Sequence, residues 1–177
     1  MSRVNGSPPG PRILGIDPGL QVTGYAVLEA RPQGPHACEA GIVKTSDARR
    51  TTDLAPRLRS LYTGIVEIVE QYWPQVVAVE QLFAHYDHPR TAILMAHARG
   101  VIFLAAAQAD LPVVSYSATR IKKTITGHGR ASKEQMQHAI RSELGLPRLP
   151  EPHDVADALA AALCHYYTHK DSCLRGP

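Results

Sequence analysis

The sequence predicts an α/β domain built on a mixed five-stranded sheet flanked by helices, and three observations carry the prediction. Short apolar runs bounded by turn residues recur along the chain, three of them stand together ahead of the first helical pattern, and the later ones alternate with stretches of helical period. Strands joined by short turns pair antiparallel, whereas strands separated by helices need crossovers and lie parallel, so the sheet is mixed. With 177 residues, 44% of them hydrophobic, the chain can bury one sizeable core.

Each element has a local cause. Arg12 to Asp17 (RILGID) is a short buried strand, and Pro18 and Gly19 turn it toward a second strand over Gly24 to Glu29, giving a hairpin. Ala37 to Thr45 has the small and apolar residues of a third strand, with Gly41 as its weak point, and Asp47 to Thr52 is a polar connection. Thr52 or Asp53 can cap the next helix, whose Pro56 falls in the first turn, where a missing N–H does no harm. Leu54, Leu58, Leu61, Ile65, Ile68 and Val69 keep helical spacing until Pro74 ends it. Val76 to Glu80 (VVAVE) is apolar on both faces, which suits a central strand in a covered sheet. A second helix runs from about Pro89 to Asp110, and Val113 to Tyr116 is a fifth strand. Ser117 to Thr126 is a basic helix stopped by Gly127, and Gly127, His128, Gly129 and Arg130 make a flexible positive loop. Ser132 with Gln135 forms a capping-box pattern for a helix reaching about Leu144. Pro147, Pro150 and Pro152 stiffen the link to a last helix from His153 to about His169.

This order, with right-handed crossovers, gives a sheet of the ribonuclease H-like kind, in which the first strand is central and Glu80 ends the strand beside it. The domain is expected over 12–169, between a Ser/Gly/Pro-rich tail at 1–11 and a short tail at 170–177. The N-terminal tail has no apolar core and is not a secretory signal. No stretch approaches the roughly 20 apolar residues that a bilayer span needs, since Val101 to Ala107 is short and is followed by Gln108 and Asp110. A soluble protein with no membrane partner is expected. Cys38, Cys164 and Cys173 show no C-x-x-C or zinc spacing and are odd in number, which points to a reducing cytoplasm. The histidines form no H-E-x-x-H pattern, so zinc is not expected.

Charge and acids then point to chemistry. The net charge is only +3, yet Ala118 to Arg148 holds seven Lys or Arg against two acids, an excess of +5 that leaves the rest of the chain at −2. That segment is the candidate anion-binding surface, although a solvated basic helix pair would look the same. Asp17 and Glu80 each end an apolar run, and Asp154 and Asp157 stand three apart on one helix face. Hard cations such as Mg²⁺ take carboxylate and phosphate oxygens, and two of them about 3.5 to 4 Å apart can drive an in-line phosphoryl displacement. Each acid also has a plain structural reading: Asp17 before Pro-Gly opens a turn, Glu80 can be a solvated strand end, and acids suit a helix first turn. The predicted topology favours a shared role, because it gathers two adjacent strand ends and one helix start. His153 can orient water or phosphate, or be an incidental surface residue.

The segments LGIDPGLQVTGYAVLE, VVAVEQLF, AHARGVIFLAAA, IKKTITGHGRASKEQMQHAI and HDVADALAAALCH together resemble the RuvC family of bacterial Holliday-junction resolvases, over about Arg12 to His169 and in the family's order. The resemblance implies a homodimeric, Mg²⁺-dependent endonuclease that nicks two opposed strands of four-way junction DNA in recombination and repair, with Mn²⁺ a workable substitute. Asp17, Glu80, Asp154 and Asp157 match the family's catalytic, metal-holding acids. Some members carry His in the third position, so His153 can share the role of Asp154. Phe83 matches an aromatic that stacks on bases at the junction centre, and Lys122 and Lys133 match lysines that contact DNA near the scissile phosphate. Arg120, Lys123, His128 and Arg130 are further candidates from the same basic stretch. The helix bearing Ile93, Leu94, His97, Val101 and Leu104 matches the family's dimer interface, and it must also cover the sheet. A branch-migration motor complex is the implied partner and the bacterial cytoplasm the implied location.

Three other readings compete. G-I-D-P-G followed by G-Y-A also resembles the first phosphate loop of actin-like kinases, but those need a second lobe, and 177 residues are too few. A ribonuclease H-like nuclease acting on RNA or hybrid duplexes would use the same acids. A binding-only module for branched DNA would not need all four.

Overall fold

The computed structural model describes residues 10–45, 53–82 and 89–170. Its elements follow the predicted order: β1 (Arg12–Asp17), β2 (Val22–Arg31), β3 (Gly34–Lys44), α1 (Leu54–Tyr72), β4 (Val76–Glu80), α2 (Pro89–Gln108), β5 (Val113–Tyr116), α3 (Ala118–Thr126), α4 (Lys133–Leu144) and α5 (His153–Thr168). The strands form one sheet in the order β3-β2-β1-β4-β5, with β1 at its centre. The β1–β2 and β2–β3 pairs are antiparallel, and the β1–β4 and β4–β5 pairs are parallel.

Side-chain alternation along the strands builds two cores. Ile13, Ala26, Leu28 and Ala78 face α5 and its neighbours, while Leu14, Ile16, Val27 and Val77 face Leu61 and Ile65 of α1 and Ile102 of α2. Local signals set most boundaries. Ser117 Oγ accepts from the Arg120 N–H at 3.3 Å, and the Ser132–Gln135 capping box closes through bonds of 2.8 and 3.2 Å. Gly127 ends α3 in the left-handed conformation at φ 77°.

Some boundaries differ from expectation for physical reasons. The β2–β3 hairpin runs further at both strands, to the pairs Ala30–Pro35 and Arg31–Gly34. Pro35 is tolerated because β3 is an edge strand. The chain docks before Arg12, since Ala30 N–H donates to the Pro11 carbonyl at 2.8 Å. α2 stops at Gln108, and Asp110 takes a left-handed φ of 54° while Leu111 N–H caps Ala106 at 2.9 Å. Residues 1–9 and 171–177 of the two expected tails, with Cys173, and the Asp47 to Thr52 connection lie outside the described residues. Cys38 and Cys164 are free thiols.

The packing of α5 positions the site. Its residues from Val155 to Tyr166 are buried, apart from Asp157, and five of them are alanine. The helix therefore lies directly on the sheet backbone. A Cβ at Gly15 would stand 2.1 Å from the Ala158 carbonyl oxygen, and one at Gly24 would stand 2.0 Å from that of Asp154.

α2 corrects one expectation. Over the 18 residues Thr91–Gln108 it is long and apolar enough to cross a bilayer by length and composition. Alanines and Gly100 extend the apolar character well beyond Val101 to Ala107, the run to which the sequence reading confined it. Ala98, Ile102, Ala105 and Ala106 are buried, while Ile93 (56%), Leu94 (40%), Phe103 (37%) and Leu104 (53%) remain exposed. A shallow apolar groove along this second face is lined by Leu58, Ile93, Ala96, Gly100, Val101 and Leu104.

Candidate active site

Strand register delivers the first two acids together. β1 and β4 run parallel to their last registered pair, Ile16–Val79, so Asp17 and Glu80 leave the sheet at the same end. Asp17 is also the register partner of Gly24 on β2. Because the Asp154 backbone presses onto Gly24, the first turn of α5 stands beside Asp17, and Asp157 follows one turn later. Asp17, Glu80 and Asp157 line one open cleft with Pro18, Gln81 and Met95. Glu80 and Asp157 also line the adjoining cleft, into which Lys122 and Lys133 project. Asp154 lines neither, yet it lies near enough to act electrostatically on both Asp17 and Asp157.

The cluster is electrostatically unfavourable as it stands. Burial pushes the Asp17 carboxyl up to about 8, with the charges of Asp157, Glu80 and Asp154 adding to the shift and Lys133 opposing it. Burial and Asp157 raise Glu80, against Lys122. Asp157 is raised by burial, is drawn down by Lys133, and feels Asp154 upward and His153 and Lys122 downward. Among the described residues no three Asp, Glu, His or Cys side chains already converge as a closed metal cage. Asp17, Glu80 and Asp157 instead line a cleft that water can enter. Carboxylate oxygens with a surplus of negative charge, facing a cleft wide enough for a phosphate, suit a hard oxygen-loving cation better than a soft one.

The turn after Asp17 is held by residues that the sequence reading missed. Thr23 is fully buried, donates its hydroxyl to the Gly19 carbonyl at 2.6 Å and accepts from the Gly19 N–H at 3.2 Å. Thr45 donates to the Leu20 carbonyl, and Arg57 reaches the same oxygen at 3.2 Å. A threonine four residues past a Pro-Gly turn is the available signal for the first of these. Gly15 and Gly24 carry no local signal of their own, and their role depends on which helix lies above them.

The predicted DNA-contact residues divide. Lys122 and Lys133 face the acids. Arg120 extends over the Tyr116 ring, 5.3 Å from its centre, while Lys123, His128 and Arg130 are exposed further along α3 and its loop. His153 is exposed at the start of α5, close enough to Asp157 to lower it. Phe83 lies outside the described residues.

Residues 13–165 match the family model described as crossover junction endodeoxyribonuclease RuvC. The chain is 54% identical over 157 residues to the crossover junction endodeoxyribonuclease RuvC of Rhodopirellula baltica, covering 88% of this chain and 85% of that one. It superposes on Thermus thermophilus RuvC in complex with Holliday junction substrate with a TM-score of 0.82 and 30% identity, over 92% and 96% of the two chains. The yeast mitochondrial Holliday junction resolvase Ydc2 shares the fold at a TM-score of 0.61 and 13% identity, over 96% of this chain and 88% of that one.

Proposed function

We propose, from the premise that this chain belongs to the crossover junction endodeoxyribonuclease RuvC family, that Asp17, Glu80, Asp154 and Asp157 are its catalytic and metal-holding acids. The protein is a Holliday-junction resolvase, an endodeoxyribonuclease that hydrolyses phosphodiester bonds by symmetric nicking of four-way DNA junctions. Its family is one of metal-dependent nucleases. The observation that carries the site assignment is the Asp17 carboxyl, buried and crowded by three other acids at one sheet end. Such a cluster is costly without a cation and ordinary with one.

Mg²⁺, with Mn²⁺ as substitute and two ions per site, is the cofactor we assign. The chemistry such ions supply when bound is activation of water and stabilisation of the leaving oxygen. The protein's own residues do the rest. Asp17 and Glu80 offer oxygens from rigid strand ends, and Asp154 and Asp157 offer them from the buried α5. Lys122 and Lys133 hold the scissile phosphate against the acids, and Arg120, Lys123 and Arg130 follow the backbone of an adjoining arm. Phe83 stacks at the junction centre, and His153 assists by orienting water or phosphate beside Asp157.

We further propose a homodimer through the exposed stripe of α2, since a second copy would cover Ile93, Leu94 and Leu104 and two-fold symmetry would present two identical sites to a symmetric junction. A branch-migration motor complex is the proposed partner and the bacterial cytoplasm the proposed location. The test is cleavage of a synthetic four-way junction with Mg²⁺: paired symmetric nicks are expected, with linear duplex and hybrid left intact, and equal cutting of either would overturn the assignment. In the same assay Leu104→Glu should give a monomer that nicks one strand at a time.

The lysines give a second expected result. Phosphate contacts release counterions, so Lys122→Ala and Lys133→Ala should each weaken junction binding and flatten its log–log salt slope by about 1. A slope unchanged in both variants would make this basic face solvated surface.

A further inference from the structure

Arg99 is the feature of α2 that neither covering the sheet nor pairing two copies explains. It is partly buried in a mainly apolar helix, and among the described residues it makes no ion pair. Its guanidinium instead spans the ends of two strands. Nη1 donates to the backbone carbonyl of Glu80, and Nη2 donates to Ser115 Oγ at 2.6 Å. Ser115 is the register partner of Val79, and the next pair is Glu80 with Tyr116, so the fork clamps β4 to β5 where β4 releases Glu80 into the cleft. The Phe103 ring, one turn along α2, covers the guanidinium at 4.6 Å. Met95, one turn the other way, lines the acid cleft itself.

Holding a carbonyl fixes the peptide plane that follows Glu80, and with it the direction of the Glu80 side chain. A charged donor to a neutral carbonyl is a strong hydrogen bond in a partly dry site. The planar fork meets two acceptors at once, which a lysine ammonium on a flexible stem cannot do with the same rigidity. We propose that Arg99 is a positioning residue that sets the Glu80 carboxylate in the acid cleft by clamping the ends of β4 and β5 to α2. This rests on the reading of Glu80 as a catalytic acid.

The test uses the full chain and pre-bound four-way junction. Arg99→Met should lower the single-turnover cleavage rate by about tenfold or more, as small misplacements of reacting groups do. Its junction Kd without divalent ion should stay within about twofold and its melting temperature within a few degrees, while the Mg²⁺ concentration for half-maximal rate rises. Arg99→Lys, which keeps the charge and can satisfy one acceptor, should fall between wild type and Arg99→Met, and it decides the matter if the methionine variant fails to fold. A rate unchanged in the folded variants, or one that falls only in step with a weakened Kd, overturns the proposal. If the wild type itself fails to nick the junction, the reading of the acid cluster fails. If it nicks and both variants match it, only the role of Arg99 falls.

Discussion

Asp17→Asn is expected to abolish junction cleavage, by at least about 10³-fold, while leaving junction binding intact and making the metal-free protein more stable at pH 8. The two effects have one cause. In the folded chain the Asp17 carboxyl titrates near 8 rather than 3.8, because burial and then the charges of Asp157, Glu80 and Asp154 oppose its ionisation. Between those pH values the folded state holds a proton that the unfolded chain has released, so stability falls as pH rises through that window. The favourable contribution is complete below about pH 4 and is lost on passing pH 8. Glu80 and Asp157 are shifted in the same direction, so their contributions add to the slope. An amide at position 17 never ionises and escapes the penalty, and a stabilisation of a few kcal/mol should raise the melting temperature by roughly 5 °C or more. Added Mg²⁺ should stabilise the wild type increasingly from pH 6 to pH 8, since the ion competes with protons for the same oxygens, and should do little for Asp17→Asn. Thermal melts across pH with and without Mg²⁺ decide it. A metal-free wild type whose stability is flat from pH 5 to pH 8 would show that the acids are not forced together as described.

The elements and acids were legible because each is announced by its own neighbours. β4 could be bounded from VVAVE and Pro74 alone, and the start of α4 from Ser132 and Gln135. The acids stood out because a carboxylate at the end of an apolar run is conspicuous in any register. The hairpin end from Ala30 to Pro35 was not legible, since two prolines and a glycine read as loop until β3 is known to be an edge. The supports of the site were hidden for a deeper reason. Thr23, Arg57, Arg99, Gly15 and Gly24 all act on atoms contributed by other segments, and no local pattern records which atoms those are. Arg99 in the mainly apolar α2 reads as surface, and it becomes a clamp only once β4 and β5 lie beneath it.

Gly24 and Gly15 make the sharpest case, because they meet the same helix and should fail differently when each is changed to alanine. At Gly24 the added Cβ would lie 2.0 Å from the Asp154 carbonyl oxygen and 2.4 Å from its carbon. Those are backbone atoms, so no side-chain rotation relieves the clash, and α5 must retreat by about 1 Å or more to reach an ordinary contact. The contact is at the first turn, which has no helix before it and can lift while the rest of α5 stays seated. Asp154 would then move away from Asp17, the register partner of Gly24. Displacement of this size costs about 10²-fold in rate when it affects reacting groups, against an overpacking cost of about 1–3 kcal/mol. Gly15 lies under the middle of the helix, where its Cβ would meet the Ala158 oxygen at 2.1 Å and the Ala162 Cβ and nitrogen at 2.8 and 2.9 Å. There the whole helix must shift, so Gly15→Ala should lose about 3 kcal/mol or more of stability and melt roughly 6–12 °C lower. Gly24→Ala, assayed well below its melting point, should bind the junction and cleave it slowly. Wild-type cleavage by folded Gly24→Ala would mean that the close seat of α5 on β2 does not set the position of Asp154. A Gly15→Ala variant as stable as wild type would mean that α5 can ride higher on the sheet than its alanine face implies.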